Sequence, residues 1–249
     1  MPEQADWPEP VEVLNEAGSS AIVLLCEHAS NHIPPEYAGL GLPADELRRH
    51  IAWDIGAAAV TRRVSSLLDA AAFLGTYSRL LIDLNRPLDA PDSIPVRSEA
   101  TDIPDNAQLT ITEKSRRAEL IFAPFHHRVA RSLSDRQAAR RPTSLVSIHS
   151  FTPTFFGVDR LWHAGVLFDR AAKFADAVLE QMRSPGLMIG INEPYKTDRL
   201  GDYAIPIHGD DRSIPAIMIE IRNDLIAEAV GVESWASRIA GAVSAVDDL

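Results

Sequence analysis

Residues 21–32 read AIVLLCEHASNH, an apolar run that breaks at Glu27 and His28 into a polar turn and then Ile33-Pro34-Pro35. An uninterrupted apolar run, partly β-branched and without polar alternation, predicts a strand covered on both faces. Strands of this kind belong to sheets flanked by helices, where polar groups at strand carboxyl ends gather into sites. The signature recurs along the chain. Residues 145–148 (LVSI) lead into His149-Ser150-Phe151, and residues 216–221 (AIMIEI) carry Glu220 and run into Arg222-Asn223-Asp224. Shorter strands are predicted over 71–74, 79–84 and 163–168, the second of them running into Asn85-Arg86-Pro87.

Helical spacing lies between these runs. Residues 44–69 predict a helix with a break near Asp54-Ile55-Gly56, and residues 110–138 predict another whose Thr110 and Glu113 have the spacing of a capping box. Further helices are predicted over 170–182 and 232–247. The alternation predicts a single three-layer α/β/α domain with a mixed, largely parallel central sheet over residues 20–249, after an acidic, proline-containing arm over residues 1–19. Residues 88–106 are rich in proline and aspartate and lack periodicity; so long a loop in a compact domain is functional or mobile.

Bulk properties narrow the function. The 249 residues are 46% hydrophobic and 24% charged, the balance of a globular chain that needs no disulfide or metal merely to fold. A net charge of −11 repels a phosphate backbone, so nucleic acid is not an expected partner. A small anionic ligand would need local arginines. Cys26 is the single cysteine and has no partner for an intrachain disulfide. The opening MPEQADWPEPVEV lacks the basic and apolar regions of a secretory signal, and no apolar run is long enough to span a bilayer. A cytoplasmic protein without a membrane partner is the expectation; oligomeric state is left open.

Three strand ends deliver His28, His149 and Glu220, and a fourth delivers Asn85 and Arg86. A catalytic zinc takes about three protein ligands, usually histidines with a carboxylate, and keeps a position open for water. A nearby carboxylate then moves the water proton to the leaving nitrogen. Neither a serine nor a cysteine nucleophile is indicated: no Gly-x-Ser-x-Gly elbow is present, and Cys26 lies inside an apolar run.

The segments CEHASNHIP (26–34), HIAWDIGA (50–57), SRLLIDLNRP (78–87), SIHSFTP (147–153) and IEIRNDLI (219–226) together resemble the successive motifs of N-formylglutamate amidohydrolases. That family is similar in turn to the zinc carboxypeptidase and aspartoacylase group, so the resemblance implies a zinc-peptidase-like fold with one divalent ion. It implies His28 and His149 as metal ligands, Glu220 as general base, Asn85 and Arg86 as a clamp for a substrate carboxylate, and Arg79 as a group polarising the substrate carbonyl.

One departure stands out. The relatives' His-x-x-Glu pair reads His28-Ala29-Ser30-Asn31 here, and an amide is a poor zinc ligand. Asp54 is the expected replacement; Glu27 is expected to point away from His28 by strand alternation. The competing reading of Asp54 is a helix cap. Arg222 is expected either at the substrate or as an ion-pair partner near Glu220. His32 is expected in a loop near the site, and His126 and His127 in packing or solvent.

The implied reaction is hydrolysis of an N-acyl amino acid, N-formyl-L-glutamate giving formate and glutamate. Two alternatives are hydrolysis of another N-acyl amino acid or small peptide, and a metal-free binding protein on the same fold.

Overall fold

The computed structural model describes residues 7–245. Seven strands form the central sheet: β1 (Val11–Leu14), β2 (Ile22–Cys26), β3 (Ala71–Gly75), β4 (Ser144–Phe151), β5 (Ala164–Leu167), β6 (Ile189–Ile191) and β7 (Ala216–Arg222). Their order is β1-β3-β2-β4-β7-β5-β6. The central four, β3, β2, β4 and β7, run parallel, while β1 pairs antiparallel with β3 and β5 antiparallel with β7. The sheet is thus mixed and largely parallel, as the apolar runs predict. Within the expected arm, β1 adds a strand to the sheet edge and a turn follows over residues 15–18; residues 1–6 of that arm lie outside the described residues.

Side-chain alternation divides the core into two layers. Ile22, Leu24, Cys26, Val146, Ile148, Ile217 and Ile219 face helices α1 (Ala57–Leu68), α4 (Ala172–Met182) and α5 (Ala229–Ser244). Val23, Leu25, Phe73, Leu145 and Met218 face the helical run over 111–138. In that run α2 (Ile111–Arg117) passes through a π turn (Ala118–Phe122) into α3 (Ala123–Ala138). Pro124 has no N–H to give a carbonyl four residues back, which accounts for the wider turn. Phe125, Val129 and Leu133 recur at i, i+4 and i+8 and are fully buried. Truncating Phe125 to alanine is expected to cost about 3–5 kcal/mol.

Two predicted elements differ. The helix expected over 44–69 begins only at Ala57, preceded by a short 3₁₀ turn and a loop. Asp54 N donates to His28 O at 2.9 Å, which draws the chain out of helical geometry. Gly56 then adopts φ 84°, and a Cβ there would stand 2.4 Å from Ile226 O. The other difference is the strand expected over 79–84, which forms turns instead. Its residues are apolar because they are buried under α3, and their carbonyls are satisfied by side chains rather than a ladder. Asn106 Nδ2 donates to Leu80 O, Arg117 Nη1 to Leu81 O, and His126 Nε2 meets Leu84 O at 2.8 Å. A buried carbonyl must be paired somewhere, and these contacts explain why Arg117 and His126 are themselves buried.

Among the described residues, no helix is long and apolar enough to cross a membrane.

Candidate active site

The three parallel neighbours β2, β4 and β7 bring His28, His149 and Glu220 together near their carboxyl ends. His149 and Glu220 lie within their strands, not beyond them, and are paired in register. Both share the face of Leu145 and Met218, where loops replace helix α3 above the sheet. A cavity of about 510 Å³ opens there, lined by His28, Asp54, Arg79, Arg86, His149 and Glu220 among others.

Asp54 reaches this face from the loop before α1. Its side chain does not cap that helix, whose N-cap is Gly56. Asp54 Oδ2 instead accepts from Ser150 N at 3.1 Å, lies 2.9 Å from His149 Nδ1 and 3.5 Å from His28 Nδ1. One donor atom from each of His28, Asp54 and His149 lies within 4.8 Å of the others, and all three residues are buried.

The far nitrogen of each ring is held by a second carboxylate. His28 Nε2 meets Asp83 Oδ1 at 2.6 Å, and His149 Nε2 meets Glu27 Oε2 at 2.9 Å. Glu27 also accepts from Ser147 Oγ at 2.7 Å. Alternation does set Glu27 apart from Cys26, but on the face that holds His149, so Glu27 is part of the site. By sequence Glu27 enters only as an alternative to Asp54 as third metal ligand, and Asp83 is not foreseen as a site residue. The available signal was position: each acid stands within two residues of a motif residue at the end of an apolar run. Asn31 does not line the cavity, and its Nδ2 donates to Leu47 O.

Electrostatics reinforce the arrangement. Burial works against the Glu27 anion, yet the hydrogen bond and charge of His149 bring its pKa down to about 2. Asp54 and Asp83 are likewise held low against burial, the first chiefly by His28 and His149, the second by Arg79 and His28. Burial disfavours the charged His149 ring, but its bonds to Asp54 and Glu27 outweigh that and hold its pKa well above the usual value. Glu220 behaves oppositely. Its Oε2 has no hydrogen-bond partner, and burial raises its pKa to about 7.

Arg79 donates through Nε and Nη2 to Asp83 Oδ2 at 3.1 and 2.8 Å and stands 3.4 Å from Asp54. Asn85 and Arg86 line the cavity too, against the segment 198–202. The structure brings seven of the expected residues to one cavity and leaves Arg222 apart: its guanidinium pairs with Asp224 at 2.8 Å, and it does not line the cavity. His126 is buried against His208 and Leu84 O, His127 is exposed, and His32 packs on Tyr77. Burial pushes the Cys26 thiol pKa up, as expected for an inert core cysteine. The loop over 88–106 forms one wall through Arg97, Ser98 and Glu99 and is pinned by buried Asn106, which donates to Leu80 O and Pro95 O.

No curated protein matches the chain. Among solved structures it is similar to a gene product of Agrobacterium tumefaciens, with 38% identity over 96% of this chain and 97% of that one and a TM-score of 0.91. It also shares its fold with the N-formylglutamate amidohydrolase of Ralstonia eutropha JMP134, at 19% identity over 96% and 97% of the two chains and a TM-score of 0.71. Residues 20–227 match the N-formylglutamate amidohydrolase family, and the chain belongs to that family of hydrolases acting on an amide bond.

Proposed function

We propose that the protein hydrolyses the amide of an N-acyl amino acid, with N-formyl-L-glutamate giving formate and glutamate, and that it does so with a divalent ion, zinc, held by His28, Asp54 and His149. The observation that carries this reading is the convergence of those three donors beside an unpartnered, buried Glu220.

The donor set fits such an ion. Each imidazole keeps Nδ1 toward Asp54 while a carboxylate holds Nε2, the outer arrangement that fixes ring orientation in metal sites. His28 Nδ1 is buried without a hydrogen bond. Four carboxyl groups, from Glu27, Asp54, Asp83 and Glu220, gather around one guanidinium and two imidazoles, a surplus of negative charge that a divalent cation offsets. Asp54 thereby supplies the carboxylate missing at position 31, which weighs against the metal-free binding reading. A bound ion of this kind lowers the pKa of a water and polarises a carbonyl.

The chain's own groups do the rest. Glu220, with its raised pKa, carries one proton of the attacking water to the departing amide nitrogen, and the second water proton passes from the nascent formic acid to the amine, so formate and an ammonium group leave with no net proton change. Arg79, anchored by Asp83, turns its remaining donor capacity toward the acyl oxygen as negative charge grows there. Asn85 and Arg86 fix a carboxylate of the substrate.

Metal analysis of purified protein, with assays for formate and glutamate release from N-formyl-L-glutamate, tests this. Protein that binds no divalent ion and hydrolyses no N-acyl amino acid would instead be a binding protein. Turnover of a different acyl amino acid would keep the mechanism and change the substrate.

A further inference from the structure

Asn85 and Arg86 already hold a carboxylate, and it belongs to the chain itself. Asn85 Nδ2 donates to Asp202 Oδ1 at 3.0 Å, and Arg86 Nη1 donates to the same oxygen at 3.1 Å. Arg86 also donates to Gly201 O, and through Nε to Asp92 Oδ2 at 2.9 Å. The other oxygen of Asp202 accepts from Asp198 N at 3.1 Å. An acidic substrate would offer the pair the same group: a carboxylate oxygen between a carboxamide N–H and a guanidinium N–H.

Asn85 does not depend on Asp202 for its position. Its Oδ1 accepts from Ala204 N at 2.9 Å and Tyr203 N at 3.2 Å, and its own N–H donates to Asp83 Oδ1 at 2.8 Å. Burial pushes the Asp202 carboxyl pKa up, so Arg86 compensates its desolvation only in part. The contact is one that a better-placed carboxylate can replace.

Resting on the functional reading given above, we propose that Asp202 is a specificity-determining residue that competes with the substrate's carboxylate for Asn85 and Arg86. A ligand bearing a carboxylate at this pole exchanges one anion for another and displaces Asp202. A neutral ligand has too little to offer and leaves Asp202 in place. The exchange of like for like keeps affinity for the acidic ligand modest, because the new contact replaces an old one. Removing the competitor therefore tightens binding of acidic ligands and leaves neutral ones nearly unchanged.

The test is calorimetric titration of the metal-loaded protein with L-glutamate and with glutaramide, which carries no carboxylate. Asp202→Asn is expected to bind glutamate about tenfold tighter, the scale of one charge-assisted contact, with glutaramide changed less than about twofold. Asp198→Asn removes the same charge from the same segment and is expected to give a smaller gain, which separates competition from a general field effect. Unchanged or weaker glutamate binding by Asp202→Asn overturns the proposal and makes Asp202 a support for Arg86. A crystal structure of the unaltered protein with glutarate supplies a second measurement. Asp202 displaced by the ligand supports competition; Asp202 still on Arg86 with glutarate bound elsewhere overturns it. Turnover enters neither measurement, so an inability to hydrolyse N-acyl amino acids would sink the functional reading and still leave the role of Asp202 to these titrations.

Discussion

Glu27 Oε2 lies 2.9 Å from His149 Nε2, on the side of the ring opposite Asp54. The imidazole is therefore clamped between two carboxylates, one deep in the sheet and one at the cavity. Clamping fixes which nitrogen faces the proposed ion site and makes that nitrogen a better donor.

Glu27→Gln should keep the shape and remove the charge. Divalent-ion affinity is expected to fall about 10–100-fold, the usual range for a partner behind a metal histidine, with the fold intact by circular dichroism. Competition with a chelating dye measures this. His149→Ala should lose the ion altogether; full occupancy in that variant would remove His149 from the ligand set.

Glu220→Gln should retain the ion and lose at least about 10²-fold in kcat, the lower end of general acid–base catalysis. The pH profile adds an independent check. A base must be unprotonated, so activity falls as pH drops through its pKa. Glu220 lies at about 7 without an ion because of burial, and a nearby cation favours the carboxylate. The acidic limb of the loaded enzyme should therefore lie below 7. Near-normal turnover in Glu220→Gln would assign the proton transfer elsewhere.

Much of this was legible in sequence, and the misses have a common cause. Buried strands announce themselves by unbroken apolar runs, so β2, β4 and β7, and with them His28, His149 and Glu220, are read directly. The run over 79–84 holds four large apolar residues after Arg79, yet it is a buried loop. Hydropathy reports burial and not backbone pairing, and only Asn106, Arg117 and His126, far along the chain, reveal how its carbonyls are satisfied. Asp54 emerges from a helical-looking stretch because a tertiary bond to His28 O competes with the helix. Glu27, Asp83 and Asp202 meet His149, His28 and Asn85 across long stretches of sequence, so their nearness to motif residues hints at a place in the site but not at these partners.

The buried pair His126 and His208 makes a separate prediction about stability. Their rings meet at 2.9 Å, and burial lowers their pKa values to about 3 and about 4. Unfolding releases both rings to water, where a histidine titrates near 6.5. Between these limits the unfolded chain binds more protons than the folded one, so stability is full above about 6.5 and falls with pH down toward about 4. His126→Gln keeps a donor for Leu84 O and cannot titrate. It should flatten the acid dependence of unfolding by up to about 1.4 kcal/mol per pH unit. Denaturant melts at pH 7 and pH 5 decide this; an unchanged slope would mean that other groups set it.

Arg86 provides the sharpest test of substrate class. Its guanidinium spans Asp92 on one side and Asp202 with Gly201 O on the other, and the proposed substrate must share or take one of those positions. Lysine keeps the charge and loses the planar fork, so it can serve one partner where arginine serves three. If Arg86 holds a substrate carboxylate in the transition state, Arg86→Lys should lose about 1–3 kcal/mol in kcat/KM for N-formylglutamate. The loss should shrink for the α-amide of N-formylglutamate, whose carboxamide never draws fully on the fork. If Arg86 instead only ties segment 198–202 to the cavity wall, the acid and the amide should lose alike. Melting temperature separates the two further: a purely structural role lowers it together with both activities, whereas a substrate role leaves it nearly unchanged while the acid substrate alone suffers.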